Sequence, residues 1–292
     1  MSDRLIRLIC HDAEIKMTGV VTTKLVERMR QIHKTLPLAT AALGRTLSAA
    51  SMLGRELKDE NGSLTIQIHG DGPLGAITAV SDCDGNVRGY LQNPAAIVPL
   101  KQAGKLDVGA GVGAGYLMVS KDIGVGEPFN GMVELHNGEI AEDITKYLAE
   151  SEQVPSAVSL GVLVDVEQKV IAAGGFMVQL MPGATDEDIS RLEANIAECP
   201  SMTTMLHSGL EIEEIAARVL AGFDFEILES VPVEYRCNCS GERVHRALIS
   251  LGKDELIRLR DEKDEEMTVT CQFCDKVYTI GKDELTQMIE SL

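Results

Sequence analysis

The decisive stretch of the sequence reads Cys237-Asn238-Cys239, then thirty-one residues, then Cys271-Gln272-Phe273-Cys274. Two close cysteine pairs separated by about thirty residues predict one tetrahedral Zn²⁺ site with four thiolate ligands. The second pair has the C-x-x-C spacing of zinc ribbons, whereas the first pair is one residue shorter. A purely structural zinc more often uses C-x-x-C twice, and the same four thiols could leave the metal as disulfides. Spacing alone therefore leaves two interpretations open, a structural zinc and a redox sensor.

Composition limits the classes of protein to which the chain can belong. It has 292 residues, of which 45% are hydrophobic and 3% aromatic, with no Trp and a formal net charge of −18. This length suffices for two domains, or for one large domain with an appendage. Strong negative charge disfavours binding to phosphate backbones, and scarce aromatic rings disfavour stacking on bases. We therefore expect no nucleic-acid partner.

The cellular compartment bears on the chemistry of the seven cysteines. No apolar run approaches the roughly 20 residues of a membrane span, and the N-terminal residues lack the pattern of a signal peptide. We therefore expect a cytoplasmic protein with no membrane partner. Thiols are normally reduced in that compartment, so paired cysteines indicate metal or redox chemistry. The isolated Cys10, Cys83 and Cys199 are expected to be ordinary thiols.

Residues 1–180 predict a core domain in which strands and helices alternate. Strands are expected at 5–10, 64–69, 77–80, 87–91, 116–120, 132–135, 139–140, 158–166 and 170–180, and helices at 22–34, 38–57 and 142–150. Short turns between neighbouring strands, such as Asn137-Gly138, favour antiparallel hairpins. Leu43, Leu47, Ala50 and Leu57 are expected on one face of helix 38–57, with Pro37 as a breaker before it. The expected class is α+β.

Residues 181–231 differ from the core domain in charge and pattern. They contain eleven acidic and two basic side chains, a net charge of −9 and half of the total. Three short amphipathic patterns predict helices, and helices below roughly 12–15 residues are stable only when their apolar face is docked. The segment is either a docked helical connector or an acidic linker that is metastable and acts as a switch.

Residues 232–292 contain the four paired cysteines. Helices are expected at 244–251 and 253–260, and a hairpin at 269–271 and 276–280 with Cys274 in its turn. A unit of about sixty residues with few large apolar groups usually needs a metal or disulfides to fold. Nearby cations lower thiol pKa and favour a redox response, but such charges are common on any surface, so the residues alone favour a structural and a redox-responsive zinc site equally. The candidates are Arg236, Arg243, His245 and Lys276.

Other motifs carry little weight. The glycine-rich residues 109–115 precede a predicted strand and not a helix, so they favour a flexible loop or close packing over cofactor binding. Asp82-Cys83-Asp84-Gly85 resembles the start of a calcium loop, but Asn93 stands where the bidentate acid should be. No nucleophile, base and acid form a local pattern, so we expect no catalytic residues and no enzyme.

Longer stretches of the sequence carry a family resemblance. They are 234–240 around the first cysteine pair, 271–274, 33–45, Gly70-Asp71-Gly72-Pro73-Leu74-Gly75 and Gly174-Gly175-Phe176-Met177-Val178-Gln179. Together they resemble the bacterial redox-regulated heat-shock holdases, the 33 kDa chaperonin family. The similarity covers most of the chain, and the four cysteines match the family pattern without departure.

This resemblance implies a redox-regulated chaperone. It implies a reduced, inactive form with one Zn²⁺ per chain held by Cys237, Cys239, Cys271 and Cys274. Oxidant and unfolding conditions would release the zinc and form two disulfides, Cys237–Cys239 and Cys271–Cys274. The linker would then unfold, and the protein could dimerise and hold unfolded client proteins without ATP. We expect loss of zinc to unfold 232–292 and so deprive the linker helices of a docking surface. Candidate client contacts are Ile189, Leu192, Ile196, Ile212, Ile215 and Val219.

The complete prediction has three parts and two competing functions. An N-terminal α/β core domain with largely antiparallel sheets (1–180) precedes a helical linker (181–231) and a small C-terminal zinc-binding domain (232–292). One alternative is a zinc-ribbon module that docks on nucleic acid or the translation machinery, which the nine basic and thirteen acidic residues of 232–292 disfavour. The other is a thiol oxidoreductase that uses Cys271 and Cys274.

Overall fold

The computed structural model describes residues 2–101, 104–124, 126–262 and 266–292. They fall into two compact units, Met1–Arg236 and Cys237–Leu292, called here the first and the second unit. The strands are β1 (Arg4–Cys10), β2 (Ile15–Val21), β3 (Ser63–Gly70), β4 (Ile77–Asp82), β5 (Val87–Leu91), β6 (Gly115–Asp122), β7 (Phe129–Glu134), β8 (Ser156–Val164), β9 (Val170–Leu180), β10 (Glu226–Pro232), β11 (Met267–Thr270) and β12 (Val277–Ile280).

Helices occupy much of the remaining chain. They are α1 (Thr23–His33), α2 (Pro37–Gly54), α3 (Val108–Val112), α4 (Ala141–Glu150), α5 (Asp186–Glu198), α6 (Met202–His207), α7 (Ile212–Val219), α8 (Gly241–Ile249), α9 (Lys253–Glu262) and α10 (Lys282–Glu290). The α+β class is confirmed. We call α5, α6 and α7 the linker helices.

Two five-stranded antiparallel sheets form the frame of the first unit. The first sheet has the order β10-β1-β2-β9-β8, and the second has the order β5-β4-β3-β6-β7. In β3, alternating apolar residues place one face inward, where Leu64, Ile66 and Ile68 are fully buried. The antiparallel arrangement is confirmed for every pairing in both sheets.

Helix α2 is buried on almost every side because it contacts strands of both sheets. The prediction of a single buried face was therefore too narrow: Arg45 is its one charged residue, and all residues after Pro37 except Arg45 are buried. Pro37 does not break the chain between helices but occupies the first turn of α2, where its missing N–H costs nothing. The helix ends at Gly54, so Leu57 lies beyond it.

The hairpin predicted around Asn137-Gly138 is wrong. β7 ends at Glu134, and residues 135–140 lead into α4. The carboxylate of Asp143 explains the difference, because it accepts four backbone N–H groups that a second strand would have used, those of His136, Asn137, Gly138 and Ile140. A fully buried aspartate with four such bonds fixes the entry to a helix instead of a turn.

The glycine-rich residues 109–115 include the short helix α3. A Cβ on Gly111 would lie 2.8 Å from the side chain of Leu74, and one on Gly109 would lie 2.5 Å from the carbonyl oxygen of Asn137. Glycine is needed here for close packing, which agrees with the packing interpretation of this stretch.

Two of the linker helices, α6 and α7, pack on the face of the first sheet opposite α2, and α5 packs on α7. α6 lies on β8 and β9, and α7 on β2. Met202, Met205, Leu206, Ile212, Ile215 and Val219 are almost fully buried in the same apolar cluster as Ile6, Met17 and Phe176 of the sheet. The docking surface of α6 and α7 is therefore the first sheet, which corrects our expectation that they would depend on the C-terminal part for one. In α5, only Leu192 is buried.

Candidate metal centre

The second unit has a small apolar core of its own. Leu256, Met267 and Leu285 are among seven buried hydrophobic residues contributed by its helices and its hairpin. The predicted helices and hairpin of this region are confirmed as α8, α9, β11 and β12. α10 was not predicted, although the N–H of Gly281 donates to the Glu284 carboxylate and so caps its start. This core is too small to suggest stability without a further link.

The second cysteine pair lies at the turn that joins β11 to β12. The N–H of Cys271 donates to the carbonyl of Lys276 at 2.9 Å, and the N–H of Asp275 donates back to the carbonyl of Cys271 at 2.9 Å. Asp275 has a φ of 57°, which the tight turn requires. The turn thus holds Cys271 and Cys274 close together on one side of the hairpin.

The first cysteine pair lies in an irregular segment that ends at the start of α8. Ser240 caps this helix by accepting the N–H of Arg243, and the guanidinium of Arg243 donates to the Asn238 side chain at 2.7 Å. Asn238 is thus held by the first turn of α8 and not by the cysteines beside it. The same helix start therefore positions both Cys237 and Cys239.

The four paired thiols converge. The sulfur of Cys237 lies 3.7 Å from that of Cys271, and the sulfur of Cys239 lies 3.5 Å from that of Cys274. All four sulfur atoms lie within 4.8 Å of one another, and none of the seven cysteines forms a disulfide. A tetrahedron with metal–sulfur bonds of about 2.3 Å has sulfur–sulfur edges of about 3.8 Å. The cluster therefore fits one tetrahedral metal ion.

Protonation within the cluster is uneven. Burial raises the pKa of the Cys237 thiol to about 12, and burial also raises the pKa of Cys274. Burial has the same tendency at Cys239, but hydrogen bonds from the Tyr278 hydroxyl and from the neighbouring thiols outweigh it and lower the pKa to about 7. The Tyr278 O–H donates to the Cys239 sulfur at 3.0 Å. Cys239 is thus the thiol best prepared to ionise.

The cations that the sequence placed near the cysteines have other partners. Arg236 pairs with Glu234, and Arg243 donates to Asn238. His245 lies 3.6 Å from Glu284, and the Lys276 ammonium lies 4.9 Å from the centre of the Tyr278 ring. The groups that lower the pKa of Cys239 are a tyrosine and thiols, which sequence reasoning missed. Tyr278 lies four residues after Cys274, on the strand that leaves the turn.

The three isolated cysteines belong to the first unit and are not among the four clustered thiols. Burial raises the pKa of Cys10 to about 11, and burial also raises the pKa of Cys83 and of Cys199. They are therefore neutral near pH 7, as expected of ordinary thiols.

Glycines lie in the first sheet at the points where α6 and α7 contact it. A Cβ on Gly19 would be 2.9 Å from Ile212, and one on Gly161 would be 2.6 Å from the Thr203 methyl. The side chains of α6 and α7 thus fill notches in the sheet that only glycine leaves open. The predicted client contacts differ in burial: Leu192, Ile212, Ile215 and Val219 are buried here, whereas Ile196 is partly buried and Ile189 is half-buried.

Within the described part of the chain, no helix combines the length and the apolar character that crossing a bilayer requires.

Known proteins resemble this chain along its whole length. A family model described as Hsp33 protein matches residues 3–281. The 33 kDa chaperonin of Agathobacter rectalis is 46% identical over 288 residues, covering 99% of this chain and 100% of that one. The 33 kDa chaperonin of Bacillus licheniformis is 45% identical over 291 residues, covering 99% and 100%. The crystal structure of the 33 kDa chaperonin (heat shock protein 33 homolog) from Thermotoga maritima gives a TM-score of 0.91 at 34% identity, covering 100% of this chain and 99% of that one.

Proposed function

The chain belongs to the Hsp33 family, and on that premise we propose that it is a redox-regulated chaperone that holds unfolding proteins without ATP. The names of its relatives support the chaperone class. The proposal that redox state regulates the protein is supported by the four thiols that lie within 4.8 Å of one another, because the same four sulfur atoms can bind a metal ion or form disulfides. We assign no catalytic residue and no enzymatic activity.

The resting form holds one Zn²⁺ through Cys237, Cys239, Cys271 and Cys274. Bound zinc supplies folding free energy on the order of 10 kcal/mol to a small domain. That link completes a unit whose apolar core is small. The Tyr278 hydroxyl donates to the Cys239 sulfur and so fixes its orientation, which favours retention of the metal.

Oxidation joins Cys237 to Cys239 and Cys271 to Cys274. Each disulfide would form from two thiolates with loss of two electrons; one peroxide molecule per disulfide accepts these electrons, takes two protons from solvent and becomes two water molecules, and the Zn²⁺ is released. In the folded unit, the sulfur–sulfur distances of 3.5 and 3.7 Å each separate one cysteine of the first pair from one cysteine of the second. Disulfides across those distances would tie the hairpin to the start of α8. Disulfides within each pair leave these segments unlinked, so the second unit unfolds when the metal leaves.

The linker, 181–231, is the second part of the switch between the core domain, 1–180, and the zinc-binding domain, 232–292. When α6 and α7 leave the first sheet, the apolar residues of both surfaces become available to unfolded client proteins. The net charge of −18 keeps the opened form soluble. We propose that the oxidised protein forms a homodimer, acts in the cytoplasm, and binds neither nucleic acid nor membranes.

Zinc release and client aggregation, measured together, test this function. The reduced protein is treated with peroxide at raised temperature, while a chromogenic chelator reports zinc and light scattering reports a heat-unfolding client. We expect about one zinc released per chain, as a four-thiolate site requires, together with suppressed scattering. Cys271→Ser should lose tight zinc binding, whereas the matched control Cys199→Ser, which alters an isolated thiol, should behave like the parent. Zinc release without any effect on scattering contradicts the chaperone function.

A further inference from the structure

Arg4 in β1 lies on the face of the first sheet that α6 and α7 cover. Side chains two residues apart in a strand point to the same side, and Ile6 is buried in one apolar cluster with Ile212 of α7. The guanidinium of Arg4 donates to the Glu211 carboxylate at 3.0 Å and to the Glu213 carboxylate at 2.5 Å. These two acids flank the first residue of α7, so Arg4 holds the start of that helix.

The surroundings of Arg4 make this contact stronger than an exposed ion pair. Its Nε is buried and has no hydrogen-bond partner among the described residues. The side chain of Arg4 is 27% exposed and that of Glu213 is 31% exposed. Partly buried charges are screened less than exposed ones, and hydrogen bonds between ions are the stronger kind. The two carboxylates therefore compensate a guanidinium that is partly removed from water.

The two sides of this contact differ in rigidity. Arg4 is paired on both sides in the first sheet, with Val21 of β2 and with Pro232 of β10. The carboxylate of the preceding residue, Asp3, accepts two backbone N–H groups at the start of α1. The helix α7 has only eight residues, and helices of that length are marginal without docking. The contact thus fastens a marginal helix to a fixed point in the sheet.

The charge at the start of α7 requires a cation beside it. Glu211, Glu213 and Glu214 bring three carboxylates to one helix start, in a chain of net charge −18. Acids suit a helix N-terminus, but they repel one another and the rest of an acidic protein when the helix docks. Arg4 offsets this repulsion from the side of the sheet. We propose that Arg4 positions α7 on the first sheet and sets the threshold at which the linker opens.

This inference rests on the proposed function, because it concerns the opening that would expose surfaces to clients. The contact itself lies in the first unit and involves none of the four clustered thiols. Opening of the linker is therefore separable from release of the metal. Neutralising Arg4 loosens α7 in a protein that still holds its zinc, and it lowers the temperature at which the oxidised protein begins to protect a client.

Amide exchange in the reduced, zinc-loaded full-length protein tests the inference. Arg4→Met removes the charge and keeps an unbranched side chain. We expect the amides of α7 to exchange about tenfold faster, as for the loss of a partly buried ion pair with two partners, with zinc content and the protection of α2 unchanged. Arg7→Met is the matched control, since Arg7 lies in the same strand but pairs with Glu229 of β10. Its α7 amides should exchange within about twofold of the parent.

A double-mutant cycle separates the ion pair from a general loss of packing. Glu211→Gln combined with Glu213→Gln should speed exchange in α7 to a similar extent. Adding Arg4→Met to these two substitutions should then have little further effect, because the interaction is already lost. Exchange effects that simply multiply would show that Arg4 and the two carboxylates act independently, which overturns the inference.

Parent-like exchange of α7 in a folded Arg4→Met variant also overturns it, as does an equal effect of Arg7→Met. Where Arg4→Met does not fold, as judged by amide exchange in α2, the pair of glutamine substitutions decides, and parent-like exchange of α7 in that variant counts against the inference. Aggregation suppression by the oxidised parent is measured separately. Its absence, with α7 loosened by Arg4→Met, contradicts the proposed function alone, and the reverse result contradicts this inference alone.

Discussion

The two faces of the first sheet are covered by helices of different kinds. On one face lies α2, an eighteen-residue helix that is buried between two sheets. On the other face lie α6 and α7, of six and eight residues, which cover the same strands with a single apolar side. Helices of that length have little stability of their own. The comparison teaches that one sheet can have a long cover buried on almost every side and a short cover that the proposed switch removes, called here the permanent and the removable cover, and that the difference lies in the helices and not in the strands.

Metal removal should produce the largest difference in amide protection between α2, on one face of the first sheet, and α6 and α7, on the other face. Taking the metal from the reduced protein with a chelator removes folding free energy on the order of 10 kcal/mol from the second unit. We expect amides of Cys237–Leu292 to exchange as in an unfolded chain, while α6 and α7 remain protected until the temperature rises, because their docking surface is the first sheet. α2 should stay protected throughout. Hydrogen exchange with mass spectrometry measures all three, and loss of protection in α7 at low temperature would show that the metal holds the linker directly.

Equal truncations on the two faces should have unequal consequences. Leu47→Ala in α2 and Ile215→Ala in α7 each empty a fully buried site, at a cost of about 2–5 kcal/mol. Leu47→Ala should lower the free energy of global unfolding, seen by denaturant titration. Ile215→Ala should mainly lower the free energy of linker opening, so that client protection begins at a lower temperature. If both variants lower global stability equally and neither changes activation, the two covers are not distinct.

A single methyl group added to β8 should overpack the contact between β8 and α6 and so weaken the docking of α6. Gly161→Ala places a carbon 2.6 Å from the Thr203 methyl, and such overpacking costs about 1–3 kcal/mol. We expect linker opening at lower temperature with little change in global unfolding. Thr203→Ser removes the methyl that the new carbon meets, so the double variant should recover most of the loss. No recovery would mean that Gly161 is required for its backbone and not for the docking of α6.

Removal of the Tyr278 hydroxyl should weaken metal binding and leave the packing of α2 on the first sheet unchanged. Tyr278→Phe removes the hydrogen bond to Cys239, and loss of such a partner typically lowers metal affinity about 10–100-fold. We expect faster zinc release in peroxide and a shifted thiolate-to-metal charge-transfer band in the cobalt-substituted protein. Tyr116→Phe, in the second sheet, is the control. An unchanged cobalt spectrum in Tyr278→Phe would contradict the role of this hydroxyl.

Lowering the pH should weakly destabilise β10, the strand that follows the linker. Burial raises the pKa of Glu229, but Arg55 and Arg7 outweigh it, so the pKa of this β10 carboxyl is lowered. Its folded pKa lies below the unfolded value of about 4.3, so its contribution to stability is complete above that value and is lost as the pH falls through the folded pKa. Glu229→Gln should flatten the pH dependence of β10 protection between pH 5 and pH 3, as measured by hydrogen exchange. A parent-like slope would assign that dependence to other carboxyls.

Local patterns in the sequence predicted most of the elements and the four clustered cysteines. Two apolar runs around a short polar turn predicted the hairpin β8–β9, and apolar spacing predicted α7, because both patterns lie in neighbouring residues. The double burial of α2 was not predictable, since it depends on two sheets that form from distant segments. The return of β10 to the edge of the first sheet was missed for the same reason, and its exposed, acidic residues carry no strong strand pattern. At the metal centre, the hydrogen bond from Tyr278 depends on how the turn folds, which spacing does not encode.

The order of the strands also has a consequence for how the proposed switch would reset. The linker helices lie in sequence between β9 and β10, and both strands belong to the first sheet. When the helices undock while β10 stays paired with β1, about 45 residues form a loop whose two ends remain anchored on the sheet. Return of the helices is then an intramolecular step at high effective concentration, and the entropy of loop closure grows only slowly with loop length. Closure should therefore proceed at a rate independent of dilution, so a molecule that has released its client and has been reduced and reloaded with Zn²⁺ can redock its linker helices without a partner.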